Sequence, residues 1–78
     1  MYKGFLLINT TLENEHKVYN RLNKISEINE LHPLFGEYDL LAKIELDDNN
    51  KLVNIIQNKI KNIEGVLDTK LLNGIKLK

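Results

Sequence analysis

The sequence has no cysteine, a single proline (Pro33), a single serine (Ser26), a single arginine (Arg21) and only four glycines among its 78 residues. Without Cys there are no disulfides and no thiolate zinc site. His16 and His32 are the only histidines, and two imidazoles cannot by themselves build a structural metal site. Net charge is also lacking: eleven Lys+Arg face eleven Asp+Glu. A general nucleic-acid binder carries a basic surplus or stripe, so that class is disfavoured. Ten Lys against one Arg also argue against bidentate phosphate recognition, which favours the guanidinium fork. No apolar run reaches the ~18–20 residues of a membrane span. The start, Met1 to Asn9, is briefly apolar but has no small-residue cleavage site, so it does not read as a signal peptide. The cytoplasm is the expected compartment, with no membrane partner.

At this length one domain is expected, burying only about 60–65% of the surface its unfolded chain exposes. Domains this small gain a few kcal/mol from their own core and usually add a disulfide, a metal or a partner subunit. With the first two excluded, idealised packing or self-association remains, and self-association carries the greater weight. The 11 Asn, 10 Lys and 9 Ile read as compositional bias and carry no function.

Hydrophobic period supplies the elements. Lys3 to Asn9 is β-rich and reads as a central strand buried on both faces. Thr10-Thr11 reads as a helix N-cap region, with Glu13 and Glu15 at the positive end of the dipole. Leu12, Val18, Tyr19, Leu22 and Ile25 form the apolar stripe of the helix that follows. Ile28, Leu31, Leu34 and Phe35 lie in a stretch that Pro33 confines to an edge or a bulge. Gly36-Glu37-Tyr38-Asp39 is the clearest turn. Beyond it Leu40, Ala42, Ile44 and Leu46 alternate with Leu41, Lys43 and Glu45, a strand with one buried face. Asp47-Asp48-Asn49-Asn50 offers an N-cap. Leu52, Ile55, Ile56, Lys59, Ile60 and Ile63 trace a helix laid on a sheet, which Gly65 ends. Val66 to Leu77 returns as a strand, with a bulge or bend at Asn73-Gly74. Its Leu67, Thr69, Leu71, Ile75 and Leu77 share one face.

The resulting β-α-β-β-α-β order is supported by a weak internal echo at an offset of 38 residues, in which Leu6 and Ile8 match Ile44 and Leu46. Two such halves make an α+β, ferredoxin-like sandwich. Both helices then cover one sheet face, and a second subunit is the natural lid for the other.

Catalytic constellations are scarce. Ser26 falls in a helix-to-strand turn, and His16 with Glu13 and Asn20 reads as a solvated helix face. His32 reads as a half-buried strand residue, although a general acid or base also fits it. Asp47-Asp48 lacks a downstream bidentate Glu and reads as a cap rather than a calcium loop. The four glycines are scattered at turns, with no phosphate loop. One segment stands apart, Leu34 to Leu41. Its Gly permits a sharp turn with bare amides, and carboxylates flank an aromatic. Such a loop suits a small zwitterion: amides meet the carboxylate, Asp or Glu meets the ammonium, and the aromatic walls a pocket. The same residues also make an ordinary hairpin, with Asp39 capping the turn and Tyr38 packing at its rim. Both readings stand at this level.

Gly36-Glu37-Tyr38-Asp39, followed by Leu40-Leu41-Ala42-Lys43-Ile44, resembles the G-x-Y-D turn of the Lrp/AsnC effector-binding domain, also called the RAM (regulation of amino-acid metabolism) domain. The exit Ile60-Lys61-Asn62-Ile63-Glu64-Gly65-Val66-Leu67-Asp68-Thr69 is similar to that family's I-x-x-I-x-G-V-x-x-T segment. The opening Phe5 to Thr10 strand, Ile25 to Ile28 and the helix start at Asp48 match in order, over essentially the whole chain. The resemblance implies a dimeric αβ-barrel with sheets packed face to face, and dimers able to assemble into an octameric ring. It also implies a free amino acid, or a similar small molecule, bound between dimers beside the turn. Carried over by position, Gly36, Glu37, Tyr38, Asp39 and Thr69 would line that site, with Leu34 and His32 on the strand feeding it. Glu37 stands where the family often has Asp.

Family regulators carry an N-terminal helix-turn-helix, whereas this sequence starts at the first sheet strand. It therefore reads as a stand-alone effector domain making no direct nucleic-acid contact and acting through full-length Lrp/AsnC-type regulators or another partner. No catalytic residue, cofactor or metal is expected. Two other readings share the element order: a small dimeric αβ-barrel enzyme of the monooxygenase or isomerase kind, using His32 or Tyr38, and an ACT-type regulatory domain. The Asn9-Thr10-Thr11-Leu12 turn, with no Gly, counts against the latter.

Overall fold

The computed structural model describes residues 2–72. Strand β1 spans Tyr2–Thr10, a 3₁₀ turn Leu12–Asn14 and helix α1 Glu15–Leu22. Strands β2 (Ile28–Pro33) and β3 (Leu40–Leu46) form the central hairpin. Helix α2 (Asn49–Ile55) continues into a π-helical segment, Ile56–Ile60, before β4 (Val66–Leu72). The strands form one antiparallel sheet in the order β2-β3-β1-β4, an α+β, ferredoxin-like arrangement. The Asn73-Gly74 bend and the strand positions Ile75 and Leu77 lie outside the described residues.

Alternation along the two central strands sorts the sheet into two faces. Leu6 and Ile8 of β1 and Leu40, Ala42, Ile44 and Leu46 of β3 are buried against the helices. Val18 and Leu22 of α1, Leu52 and Ile55 of α2, and Ile56 and Ile60 of the π segment meet them. Full burial of each of the Leu, Ile and Val side chains contributes about 1.5–3 kcal/mol, so this layer is the main source of stability within one chain. The helices are positioned locally: the Asp48 carboxylate accepts the Asn50 amide proton at 2.9 Å, and Asn14 Nδ2 donates to Thr11 Oγ1 at 2.8 Å. Gly65 has φ +100°, and its carbonyl accepts the Thr11 amide proton at 2.8 Å, tying the exit of the second helical segment to the end of β1.

Two expectations shift. α1 ends at Leu22 rather than Ile25, because Lys24 and Ile25 donate to Arg21 and Leu22 in tightened i→i+3 bonds. Leu12 does not join the apolar stripe. The 3₁₀ turn advances about 120° per residue instead of about 100°, and Leu12 is left 92% exposed. Pro33 closes β2, an edge strand, so its missing donor removes no interior ladder bond.

The other face carries Phe5 and Leu7 of β1, Leu41 of β3 and Leu72 of β4, all half-buried. Beside this apolar stripe runs a ladder of ion pairs. Lys43 Nζ lies 3.1 Å from Glu30 and 3.6 Å from Glu45, and Lys3 reaches Glu45 at 3.9 Å. No element of the described residues covers this face, on which β1, central in the sheet, is therefore not fully buried.

Candidate functional site

The β2–β3 hairpin end is built around Asp39. Its amide donates to Ile8 O at 3.0 Å, and its carbonyl accepts the Leu34 amide proton at 2.8 Å, closing the turn. Its carboxylate reaches sideways to the end of β1, where Oδ2 accepts the Thr10 amide proton at 2.8 Å and the Thr10 hydroxyl proton at 3.3 Å. Thr10 is buried, so this contact satisfies donors that water does not reach. Asp39 is thus a clasp between hairpin and central strand rather than a free turn-tip carboxylate. Thr10, read from sequence as part of a helix cap, is the clasp's other half.

Gly36 sets the shape of the turn. Its φ of +131° lies where L side chains strain, yet a Cβ there would meet nothing within 4 Å. The requirement is torsional, and the space around it is open. Glu37 is exposed and Tyr38 half-buried. Phe35, just before the Gly, is fully exposed.

A groove of about 440 Å³ opens beside the hairpin, lined by Pro33 and Leu40 at its base and by Leu12, Glu13, Glu15, His16 and Tyr19 from the 3₁₀ turn and α1. The size falls within the range of about 300–1,000 Å³ usual for small-molecule sites. Tyr19, Pro33 and Leu40 provide apolar wall, while Glu13 and Glu15 supply carboxylates suited to an ammonium group. Sequence spacing hid this groove, since its two walls lie far apart in the chain.

The structure brings Leu34, Gly36, Glu37, Tyr38 and Asp39 together at this end. Thr69 lies at the same end of the sheet, two strands over: Leu40 pairs with Ile8, and Ile8 pairs with Thr69. At strand spacings of about 4.8 Å this separates the Leu40 and Thr69 backbones by roughly 10 Å. Thr69 lines smaller hollows of about 230 and 210 Å³ together with Lys61. His32 is not part of the cluster. It pairs with Leu41 and so stands on the uncovered sheet face, where its Nε2 lies 3.0 Å from Glu30 Oε1. Glu30 is held below its ordinary carboxyl pKa of 4.5, chiefly by the His32 hydrogen bond and then by Lys43. Lys43 is raised above its ordinary 10.5 by the Glu30 hydrogen bond and charge. Among the described residues no group of His, Asp and Glu could hold a metal ion, and no helix is long and apolar enough to cross a membrane.

Comparison with known proteins places this geometry among relatives. The model of the Lrp/AsnC ligand binding domain matches residues 3–72. The crystal structure of FFRP-DM1 superposes with a TM-score of 0.90 at 31% identity, covering 96% of this chain and 100% of that one. A transcriptional regulator of Neisseria meningitidis, solved as a complex with L-Met, superposes with a TM-score of 0.85 at 18% identity. That match covers 96% of this chain and 50% of the regulator, and it speaks to the fold alone. A homocitrate synthase of Sulfurisphaera tokodaii is 40% identical over 52 residues, 67% of this chain. This chain matches only 11% of that enzyme's length.

Proposed function

The chain belongs to the Lrp/AsnC ligand-binding domain family, and from that premise we propose that it is a non-enzymatic, oligomeric module that binds a free amino acid or similar small metabolite and passes that signal to a partner. The observation carrying this reading is the hairpin end, where a turn clasped by Asp39 and Thr10 stands beside a groove of about 440 Å³ with paired carboxylates on its wall. In this reading Glu13, Glu15 and Glu37 provide the ammonium partners. The amides around Gly36 meet the ligand carboxylate, and Tyr38 shapes the side-chain pocket, with Thr69 at the cleft's far end. The groove is open on one side, so a neighbouring subunit completes it. The first level of assembly is a dimer through the uncovered sheet face, where Phe5, Leu7, Leu41 and Leu72 lie flanked by ion pairs. Further assembly of dimers, up to an eight-membered ring, brings the hairpin ends together.

The neutral charge supports action through a partner rather than on nucleic acid directly. Full-length regulators of the same family are one such partner. The match within a homocitrate synthase favours a second: a module of this kind also occurs as a small part of a biosynthetic enzyme, so the signal can be read by an enzyme in place of a promoter.

The test is calorimetric titration of the assembled protein with each of the twenty amino acids, alongside its mass in solution. Saturable binding of one or a few amino acids is the expected result. Silence for all twenty from an intact assembly would refute effector binding and leave a structural role.

A further inference from the structure

We propose that the cleft between α1 and the π-helical segment is a second small-molecule site, suited to a compound carrying two carboxylates on a short carbon chain. This goes beyond the amino-acid reading and does not rest on it, since the cleft shares no lining residue with the groove beside the hairpin.

Charge of one sign is collected here in a chain that has no net charge. Lys17, Arg21 and Lys24 stand at i, i+4 and i+7, a spacing that brings them to one side of α1 and the turn that ends it, and Lys59 joins them from the π-helical segment. Like charges at such spacings destabilise a helix. An anion bound among them turns that repulsion into attraction. The single arginine of the sequence is at the centre. Two hollows, of about 350 and 400 Å³, both have Arg21, Lys59 and Ile63 in their walls and are the two ends of one cleft. Each is of the size usual for small-molecule sites.

Lys59 reaches the cleft through the π turn. By helical period it falls within the apolar stripe of Leu52, Ile56, Ile60 and Ile63. In the structure the Lys61 amide donates to Ile56 O at 3.0 Å, an i→i+5 bond. The wider turn keeps Ile56 and Ile60 buried while the Lys59 side chain stays 51% exposed at the cleft. Such turns within helices occur frequently at functional sites.

The occupant follows from the charge and the floor. Glu64 lies 3.2 Å from Lys17 and Glu27 3.3 Å from Lys59, whereas Arg21 and Lys24 have no ion-pair partner among the described residues. Four cations thus meet two carboxylates, and the surplus of two positive charges matches a dicarboxylate. The planar fork of Arg21 suits one carboxylate in a bidentate pair, and an ammonium group suits the other. Ile25 and Ile63, half-buried against the core, offer the carbon chain an apolar floor. The Glu64 side chain is 78% exposed, and ion pairs so exposed contribute little, so Lys17 turns to a ligand at little cost. Both helical elements lie opposite Phe5 and Leu7, so a second copy packed on the uncovered sheet face leaves the cleft open.

The test is calorimetric titration at low salt with glutarate, butyrate and inorganic phosphate, without any amino acid. Glutarate has two carboxylates on a short chain, butyrate one carboxylate on a similar chain, and phosphate a comparable charge with no chain. The expected result is saturable binding of one glutarate per chain, with butyrate and phosphate weaker by about tenfold or more, as the loss of a charge-assisted contact produces. Arg21→Gln should weaken glutarate by a similar factor; Arg21 is exposed and unpaired among the described residues, so the variant keeps its fold. Lys51→Gln removes the same charge from α2, outside the cleft, and should leave binding unchanged. No saturation with glutarate would overturn the proposal. Phosphate or butyrate binding as tightly as glutarate would do so too. Equal weakening by Arg21→Gln and Lys51→Gln would also overturn it, since that indicates diffuse attraction of anions to the surface. These titrations contain no amino acid and Arg21 lies outside the hairpin groove, so their failure is distinguishable from failure of the amino-acid titration.

Discussion

Replacing Asp39 by Ala removes the acceptor that Thr10 uses for two donors, its amide at 2.8 Å and its hydroxyl at 3.3 Å. The hydroxyl can turn to another acceptor, whereas the amide is fixed by the strand. A buried donor left unsatisfied costs about 1–3 kcal/mol, and bonds to a charged acceptor lie toward the upper part of that range. A loss of about 2 kcal/mol is expected for D39A. Asn keeps an acceptor oxygen but not the charge, so D39N should lose about 1 kcal/mol. T10V deletes only the longer bond and should lose less than D39A. In a domain of this size each kcal/mol moves the melting temperature by roughly 4–8 °C. The assay is thermal unfolding followed by circular dichroism, with all variants at one protein concentration because assembly couples to stability. The ranking D39A, then D39N, then T10V tests the clasp. A D39A midpoint within about 2 °C of wild type, at most half the shift one kcal/mol produces, would refute it and return Asp39 to the turn-capping or ligand-binding role its sequence suggests.

The two positive-φ glycines should respond differently to Ala. At Gly36 only the torsion resists, at about 1–3 kcal/mol. At Gly65 a Cβ would also stand 2.5 Å from Asn14 Cβ and 3.0 Å from Val18 Cγ2, adding about 1–3 kcal/mol of overpacking. Urea melts in which G36A loses as much as G65A would contradict this. Acid should weaken the fold partly through Glu27 and Glu30. Glu27 is lowered by a backbone hydrogen bond and by Lys59, and Glu30 by His32 and Lys43. Because the folded values are depressed, the stability these groups add is present above their ordinary pKa of 4.5 and is lost as pH falls through the folded values. Melting temperature against pH should therefore fall less steeply below 4.5 in an E27Q/E30Q variant, and high salt should narrow the difference. Parallel acid limbs at low salt would exclude a contribution from these pairs.

Local pattern made much of this fold legible. The alternation from Leu40 to Leu46 reports one buried face without ambiguity, the Asp48 cap bonds two residues along the chain, and Gly65 sits where a helix must turn out. What stayed hidden depends on contacts far apart in sequence or on departures from ideal period. Thr10 reaches Asp39 across 29 residues, and nothing near either residue signals the partner. Leu12 fits an α-helical stripe but sits in a 3₁₀ turn. The second helical segment reads as one regular helix, yet its last five residues are π-helical. His32 belongs by sequence to the strand feeding the turn, but the register shift between Ile28 and Glu30 blurs the alternation that would have told its face. The hairpin was readable; the groove beside it, assembled from α1 and the strand ends, was not.

The position of β1 at the middle of the sheet also governs how the chain reaches its structure. Phe5 must find Leu72, and Tyr2 must find Leu46, so a strand made early has no partner until β3 and β4 have followed it. Closing such long loops delays the gain from pairing. Until then the Phe5-Leu6-Leu7-Ile8 run, with both edges unpaired, is the stretch most ready to associate with another chain. During synthesis and refolding, chaperone binding and concentration-dependent losses should centre on this run, and the yield of native protein should depend on how soon β4 arrives to shield it.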